Sequence, residues 1–209
     1  MHSQFKIEQL TIDAIPFILP ICNEELGTGF LTDTVLIDYM QNPKCQSLIA
    51  VDSSTDKIVG ASISLYLSQS ELKQFIHPSQ YIHLDQSITK DENIGILKLI
   101  AIEKDSQKKG LGTQFIKGSF EFFSHNNIQT ICAFAWESKT GINMKTIFDR
   151  YELTIMSRIP HFWTQDSLEQ KYDCPECGKP PCKCTAVIFS KHRQLSIHFS
   201  YRRNTQSDY

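Results

Sequence analysis

Gln107-Lys108-Lys109-Gly110-Leu111-Gly112 separates a largely apolar run, Ile94 to Ile102, from a segment of helical periodicity. A strand, a tight glycine turn and a helix N-terminus in succession form a ready site for anionic phosphates. The first helical N–H groups have no intrahelical partner, and the helix dipole places partial positive charge at that end. Gly110 and Gly112 lack a Cβ, so the backbone can approach a pyrophosphate closely, and Lys108 and Lys109 add charge. Leu99-Ile100-Ala101-Ile102 reads as a strand buried on both faces. Thr113 to Ser124 places Phe115, Ile116, Phe120 and Phe123 on one helical face. His125-Asn126-Asn127 stops that helix, and Thr130 to Trp136 is a further apolar strand. The turn is not a Walker loop, because no Gly-Lys-Ser/Thr follows at the required spacing. Nor is it a dinucleotide fingerprint, which needs a third glycine and an acidic ribose ligand about 20 residues on.

Outward from this unit, Phe5 to Thr11 alternates as a strand, and Asp13 is placed to cap a helix from about Ala14 toward Glu25, interrupted by Pro16 and Pro20. A short helix follows Asp33, from Thr34 to Met40. Leu48 to Asp52 and Ile58 to Leu67 read as a hairpin across Asp52-Ser53-Ser54-Thr55-Asp56. Ser68 to Asp91 is less regular. Asn143 to about Asp149 reads as a short helix, Leu153 to Pro160 as a strand, Ala186 to Phe189 as a final strand and Ser200 to Tyr209 as a polar tail.

Gln107-x-x-Gly110-x-Gly112 is similar to the Q/R-x-x-G-x-G/A signature of the GNAT acetyltransferase superfamily, and the order of elements from Phe5 to Phe199 resembles that family's layout. The resemblance implies an α/β (α+β) fold with a mixed, mostly antiparallel central sheet flanked by helices. Residues 1–199 would then form one domain carrying an insertion at about 172–185, with 200–209 as its tail. It also implies an N-acetyltransferase that moves an acetyl group from acetyl-CoA to an amine by direct attack in a ternary complex. Backbone groups of Ile100, Ala101 and Ile102 would pair with the pantetheine arm. Gln107, Lys108, Lys109, Gly110, Leu111, Gly112 and Thr113 would form the pyrophosphate cradle, and Asn143 would contact the cofactor arm or cap its helix.

In relatives a Tyr some seven residues after that Asn protonates the leaving thiolate. Position 150 is Arg150, so the resemblance assigns this role to the adjacent Tyr151. Where some relatives carry a Glu as general base, this chain has Ile96, which leaves Asp91, Glu92 and His83 as alternatives. Trp136 and Glu137 end the next strand and are placed to line the cleft. Ser68 to Asp91 would lie over the substrate side.

A second motif is Cys174-Pro175-Glu176-Cys177-Gly178-Lys179-Pro180-Pro181-Cys182-Lys183-Cys184. Cys-x-x-Cys-Gly is a zinc-knuckle turn, in which Gly178 supplies the φ > 0 conformation that aims N–H groups at sulfur. Cys182 and Cys184 complete a site of four thiolates, and zinc fits it better than an iron–sulfur cluster because the turn favours a single ion. With no open coordination position, such an ion is structural. It would staple a long hairpin insertion between the last two strands, with Phe162 and Trp163 packing against it. His161 and His192 are left out of the ligand set. Cys22, Cys45 and Cys132 lie singly in apolar or mixed segments, as small buried thiols do.

Composition excludes several classes. The chain has 209 residues, 41% hydrophobic and 21% charged, with a net charge of −2, so no general attraction to nucleic acid or anionic membrane follows. No apolar stretch reaches the roughly 18 residues of a membrane span, and the N-terminus lacks a signal-peptide pattern. A cytoplasmic location is expected. The acceptor stays open between a small-molecule amine and a protein amino group, and a homodimer contact at the knuckle edge stays open as well. Two further readings are a non-catalytic acyl-CoA-binding protein and a zinc-knuckle protein-interaction module. Lys179, Lys183, Lys191, His192 and Arg193 give the knuckle some positive charge, but the overall balance argues against nucleic acid.

Overall fold

The computed structural model describes residues 4–84, 88, 91–139, 141–142 and 144–192. In chain order these form β1 (Phe5–Gln9), α1 (Ile15–Leu26), α2 (Asp33–Gln41), β2 (Cys45–Asp52), β3 (Ile58–Ser68), α3 (Gln69–Phe75) and α4 (Pro78–Tyr81). Then come β4 (Asn93–Ile102), α5 (Leu111–His125), β5 (Thr130–Ser138), β6 (Gly141–Ile142), α6 (Lys145–Arg150), β7 (Thr154–Ile159), α7 (Thr164–Gln170) and β8 (Thr185–His192). All described strands join one sheet of order β1-β2-β3-β4-β5-β8-β7, with β6 beside β5. Every pairing is antiparallel except β4 with β5. No described helix is long and apolar enough to cross a membrane.

One face of the sheet carries α1 to α4. Ile15, Ile18, Ile21 and Cys22 of α1 pack on Ile49, Ala61, Ile63, Leu99 and Ala101. The helix runs through Pro20 rather than breaking there. The sequence expectation of an interruption fails because an internal proline costs about 3 kcal/mol, whereas each fully buried apolar side chain contributes roughly 1.5–3 kcal/mol, and α1 buries four. Asp13 does not cap it either. A 3-10 turn over Ile12–Ala14 precedes the helix, Ala14 is its N-cap and no side chain caps it. In α2 the cap is Thr32, whose hydroxyl accepts from Val35 N at 3.3 Å. The less regular stretch opens with a capping box: Ser68 N donates to Glu71 at 2.7 Å and Glu71 N to Ser68 Oγ at 3.3 Å.

The other face carries α5 and α6. Of the stripe expected from helical spacing on α5, Phe115, Ile116 and Phe123 are fully buried and Phe120 is half-buried, and Leu111 joins them inside. Its one buried hydroxyl, Ser119, donates to Phe115 O and accepts from Ser64 Oγ at 2.7 Å. The helix ends where Asn127 adopts φ 57° and Ile128 N reaches back to Phe123 O at 2.9 Å.

Candidate functional site

The turn after β4 is fixed by contacts the sequence does not show. Gln107 Nε2 donates to Ile102 O and to the Glu25 carboxylate, both at 2.9 Å, so its side chain ties the turn to the ends of β4 and α1. Lys108 has φ 60° and Gly110, the N-cap of α5, φ 88°. The first bond of the helix runs from Gln114 N to Gly110 O, which leaves the amides of Leu111, Gly112 and Thr113 without intrahelical partners. The two glycines serve different ends. A Cβ on Gly110 would meet open space, whereas one on Gly112 would lie 2.8 Å from Ile147 Cδ1 and 3.3 Å from Met144 Cε. Gly112 therefore lets the side-chain tips of α6 pack close to α5, whereas Gly110 is required by its left-handed backbone.

Beside the turn the sheet opens. β4 and β5 pair only over Ile94–Leu97 with Thr130–Ala133. From Lys98 to Ile102, β4 is held on its β3 side alone, while β5 continues against β8. The backbone of Ile100, Ala101 and Ile102 thus has one edge free of any strand. Where the two strands part lies a cavity of about 620 Å³ between Phe30, Phe75, Phe134, Trp136, Phe148 and Phe162. Part of the irregular stretch, Gln74 to Pro78, lines it, as expected for a segment over the substrate side.

Lys98 stands at the parting. It is the extra residue of a bulge, since Ile63 pairs with Leu99 and Ser64 with Leu97. The bulge lets Ile94 and Ile96 on one side of it and Leu99 and Ala101 on the other share a face. Lys98 Nζ lies 4.7 Å from the Phe75 ring centroid and 5.4 Å from that of Phe30. Burial lowers its pKa from the ordinary lysine range, against the opposing pull of Asp166. Sequence reading passed it over. The signal was there as a lone cation inside Ile94-Gly95-Ile96-Leu97-Lys98-Leu99-Ile100-Ala101-Ile102.

The candidate acid and bases fall elsewhere. Of α6 with its N-cap, Met144 and Phe148 face the cavity. Tyr151 is the C-cap of α6. Its ring packs on Phe120 at 5.1 Å and its hydroxyl donates to Thr113 O at 3.4 Å. Phe148 faces the cavity while Tyr151, at the helix end, is held on α5, so the α6 aromatic at the cavity has no proton to give. Asp91 accepts from Thr130 Oγ1 at the closed end of the strands, and Glu92 and His83 are exposed away from the lining. Trp136 lines the cavity, whereas Glu137 meets Arg158 at 3.4 Å instead. Asn143, Arg193 and the tail 200–209 lie outside the described residues.

The connection from β7 to β8 forms the remaining wall. It holds α7, which sequence reading did not foresee, followed by the cysteine motif. One sulfur atom from each of Cys174, Cys177, Cys182 and Cys184 lies within 4.8 Å of every other. Cys184 Sγ is 3.6 Å from Cys174 Sγ and 3.5 Å from Cys177 Sγ. Four sulfurs about 2.3 Å from a common zinc would stand about 3.8 Å apart. Cys174 and Gly178 exchange two backbone bonds of 2.8 Å, Gly178 has φ 72°, and Lys183 N donates to Cys177 Sγ at 3.3 Å. The indole N–H of Trp136 is buried without a nitrogen or oxygen acceptor and lies beside the Cys184 sulfur.

As free thiols these groups are poorly placed. Burial pushes Cys184 up to about 12 and Cys182 higher still. Burial raises Cys177 too, but the Lys183 N–H and neighbouring sulfurs outweigh it and leave that thiol lowered. A divalent cation is the group that lets such neighbours all ionise. The donor set and the spacing therefore fit a single tetrahedral ion, and the Trp136 N–H beside Cys184 favours that sulfur as a thiolate.

The motif is docked from both sides. Trp136 and Trp163 pack on Cys174, Cys182 and Cys184, and Ser167 Oγ accepts from Cys182 N at 2.8 Å. Phe162, by contrast, stacks on Phe134 at 5.5 Å. Asp173 N donates to Thr28 O at 2.9 Å, and Tyr172 meets Phe30 edge-on at 5.2 Å while its hydroxyl donates to Asp166 at 2.8 Å. The insertion thus reaches from the β7–β8 side of the sheet to the loop after α1, and Cys174, Cys182 and Cys184 lie on the cavity wall.

No family model matches the sequence, and no curated protein matches it. Solved structures do match. Arabidopsis thaliana NAA60 in complex with acetyl-CoA superposes with a TM-score of 0.64 at 11% identity, over 90% of this chain and 98% of that one. Arylalkylamine N-acetyltransferase 2 from Aedes aegypti gives 0.61 at 13% identity, over 91% and 99%. The ribosomal-protein-S18-alanine N-acetyltransferase from Escherichia coli gives 0.59 at 12% identity, over 94% and 99%. The fold is the mixed, mostly antiparallel GNAT fold expected from the glycine turn.

Proposed function

We propose that this chain is an N-acetyltransferase that transfers the acetyl group of acetyl-CoA to an amine, by direct attack in a ternary complex. The observation that carries the reading is the opening of β4 from β5 directly beside an α-helix N-terminus. An acyl-CoA presents a pyrophosphate and a chain of amides, and this arrangement offers unpartnered N–H groups for the first and an unpaired strand edge for the second. The amides of Gly110, Leu111, Gly112 and Thr113 hold the pyrophosphate, with Lys108 and Lys109 flanking and Gln107 bracing the turn. Ile100, Ala101 and Ile102 pair with the pantetheine arm through their backbone, and Asn143 belongs to the same assignment. Holding thioester and amine together at the parting of the strands supplies the proximity such a reaction needs.

The four cysteines bind a structural zinc ion that fixes the acceptor wall. Zinc supplies charge compensation for four thiolates and cross-links the insertion. The acceptor is a small amine or a protein amino group, the two kinds of substrate that the matched acetyltransferases are named for. We read residues 1–199 as one domain with the knuckle as its insertion.

A second reading, a non-catalytic acyl-CoA-binding protein, is favoured by Phe148 standing where α6 faces the cavity. Calorimetric titration of acetyl-CoA into wild-type and Gly110→Asp protein tests cofactor binding. Micromolar affinity lost in a folded Gly110→Asp variant is expected, and no binding by the wild type sinks the proposal. Release of free thiol with a panel of amines then separates enzyme from binder.

A further inference from the structure

The leaving group of the reaction proposed above is a thiolate, and the cavity shows no tyrosine on α6 to protonate it. It does hold one ammonium. Lys98 has no hydrogen-bond or ion-pair partner among the described residues, although it is held between two aromatic rings. A half-buried cation with no acid in direct contact, and only the more distant Asp166 to offset its charge, is costly to keep.

Its place follows from the strand. An acyl-CoA whose pyrophosphate sits at Gly110–Thr113 and whose arm runs along the free edge of β4 passes Ile102, Ala101 and Ile100. About 16 Å of strand, five residues at roughly 3.3 Å each, brings it to Lys98. There β5 closes against β4, since Leu97 and Ala133 form the last pair, and the arm can go no farther. The sulfur end of the arm therefore lies over the bulge that carries Lys98. Resting on the proposed acetyl-CoA reading, we infer that Lys98 is the proton donor to the departing thiolate and the group that then takes up the proton of the new amide.

The step balances within the site. The neutral amine forms a bond to the thioester carbon, and the carbon–sulfur bond breaks with its electron pair passing to sulfur. Lys98 Nζ gives a proton to that sulfur and becomes neutral. The acylated nitrogen, now strongly acidic, returns a proton to Lys98 Nζ, and the products are an amide and a thiol. No oxidant or other co-reactant enters.

The surroundings suit an ammonium of lowered pKa. The rings of Phe30 and Phe75 stabilise its charged form through their faces, while desolvation favours the neutral one. A donor whose pKa approaches that of the thiol it protonates transfers the proton efficiently. The other titratable groups around the cavity are Glu25 at the end of α1, His77 before α4, Asp166 and Glu169 on α7, Tyr172, and the cysteine sulfurs. Glu25 is engaged by Gln107 and Asp166 by Tyr172. Loading the cysteines with zinc adds net negative charge to the wall and pulls the Lys98 pKa upward.

The test uses zinc-loaded full-length wild type, Lys98→Met and Lys98→Arg. Acetyl-CoA affinity should agree within about threefold among the three, and a wild type that binds none overturns both this assignment and the one beneath it. In protein carrying 13C at lysine Cε, the resonance missing from Lys98→Arg should titrate below those of the surface lysines. A resonance that titrates with them overturns the assignment of Lys98 while leaving cofactor binding intact. Thiol release with phenethylamine, tryptamine and an alanyl peptide as acceptors should show kcat about 100-fold or more lower in both variants. The wild-type rate should also fall as pH rises through the Lys98 titration. Retention of kcat by Lys98→Arg, with only KM altered, marks an anchor for a substrate anion and overturns the proton-transfer role.

Discussion

The glycine turn and the cysteine knuckle are both short, and each was singled out in the sequence, yet they are built on opposite principles. The turn works through main-chain N–H groups, so its side chains matter for the shape they permit: Gly112 for the approach of Ile147, Gln107 for a brace to Ile102. The knuckle works through four sulfurs, and each is a donor nothing else in the loop replaces. Contacts that come from backbone leave few sequence constraints and tolerate gradual change, whereas those that come from side chains fail all at once.

The largest expected effect tests that contrast at the knuckle. Cys184→Ser removes a buried sulfur that touches both Cys174 and Cys177. Zinc measured by elemental mass spectrometry should fall from one ion per chain to none, and the thermal midpoint should drop by roughly 10 °C or more. Acetyl-CoA affinity should stay within about threefold. A parallel fall in that affinity breaks the separation of the two regions.

A graded response is expected at the turn. Gly112→Ala needs only the tips of the Ile147 and Met144 side chains to shift and should cost about 1 kcal/mol or less in urea unfolding, with acetyl-CoA affinity changed by no more than about threefold. Gly110→Ala meets no atom but carries the left-handed strain, roughly 1–2 kcal/mol, and is the larger of the two effects. The reverse ranking contradicts the backbone role of Gly110. Between the two regions, Tyr172→Phe removes the bond to Asp166 and should cost about 1 kcal/mol, with metal content unchanged.

The smallest effect lies outside both. The Lys44 ammonium, then the Ser68 N–H and hydroxyl, hold the Glu71 carboxyl down at about 2. Because the depressed form is the folded one, its contribution is present above the usual carboxylate range and fades as pH falls from about 4.5 toward 2. With the Glu71 side chain 39% exposed, Glu71→Gln should cost less than about 1 kcal/mol at pH 7. The gap between the two proteins should close in acid denaturation monitored near pH 2.

The fold was legible because its elements announce themselves locally: alternation in β1, the turn-rich Asp52–Asp56 between β2 and β3, the Phe115–Phe123 stripe, and the glycine turn before α5. What escaped depends on partners distant in sequence. Pro20 reads as a breaker until the sheet beneath α1 is known, and α7 is a short polar segment held by Ser167 and Thr164 against the knuckle backbone. Within the candidate site, the cofactor turn and the cysteines could be read as motifs. Phe148 and Tyr151 could not be told apart, because they lie three residues apart on neighbouring parts of one face and the end of α6 between them decides which reaches the cavity. Lys98 was visible as an anomaly, but its meaning required the bulge at Leu97–Leu99.

The narrow parallel join between β4 and β5 has a mechanical consequence. Four residue pairs connect β1–β4 to the rest of the sheet, and beyond them the two halves diverge like a partly opened book. A ligand strand laid in that gap completes a row of hydrogen bonds the polypeptide leaves unfinished. Amide exchange along Lys98–Ile102 and Phe134–Ser138 should slow on its arrival, with the binding free energy appearing as stiffness across the spine.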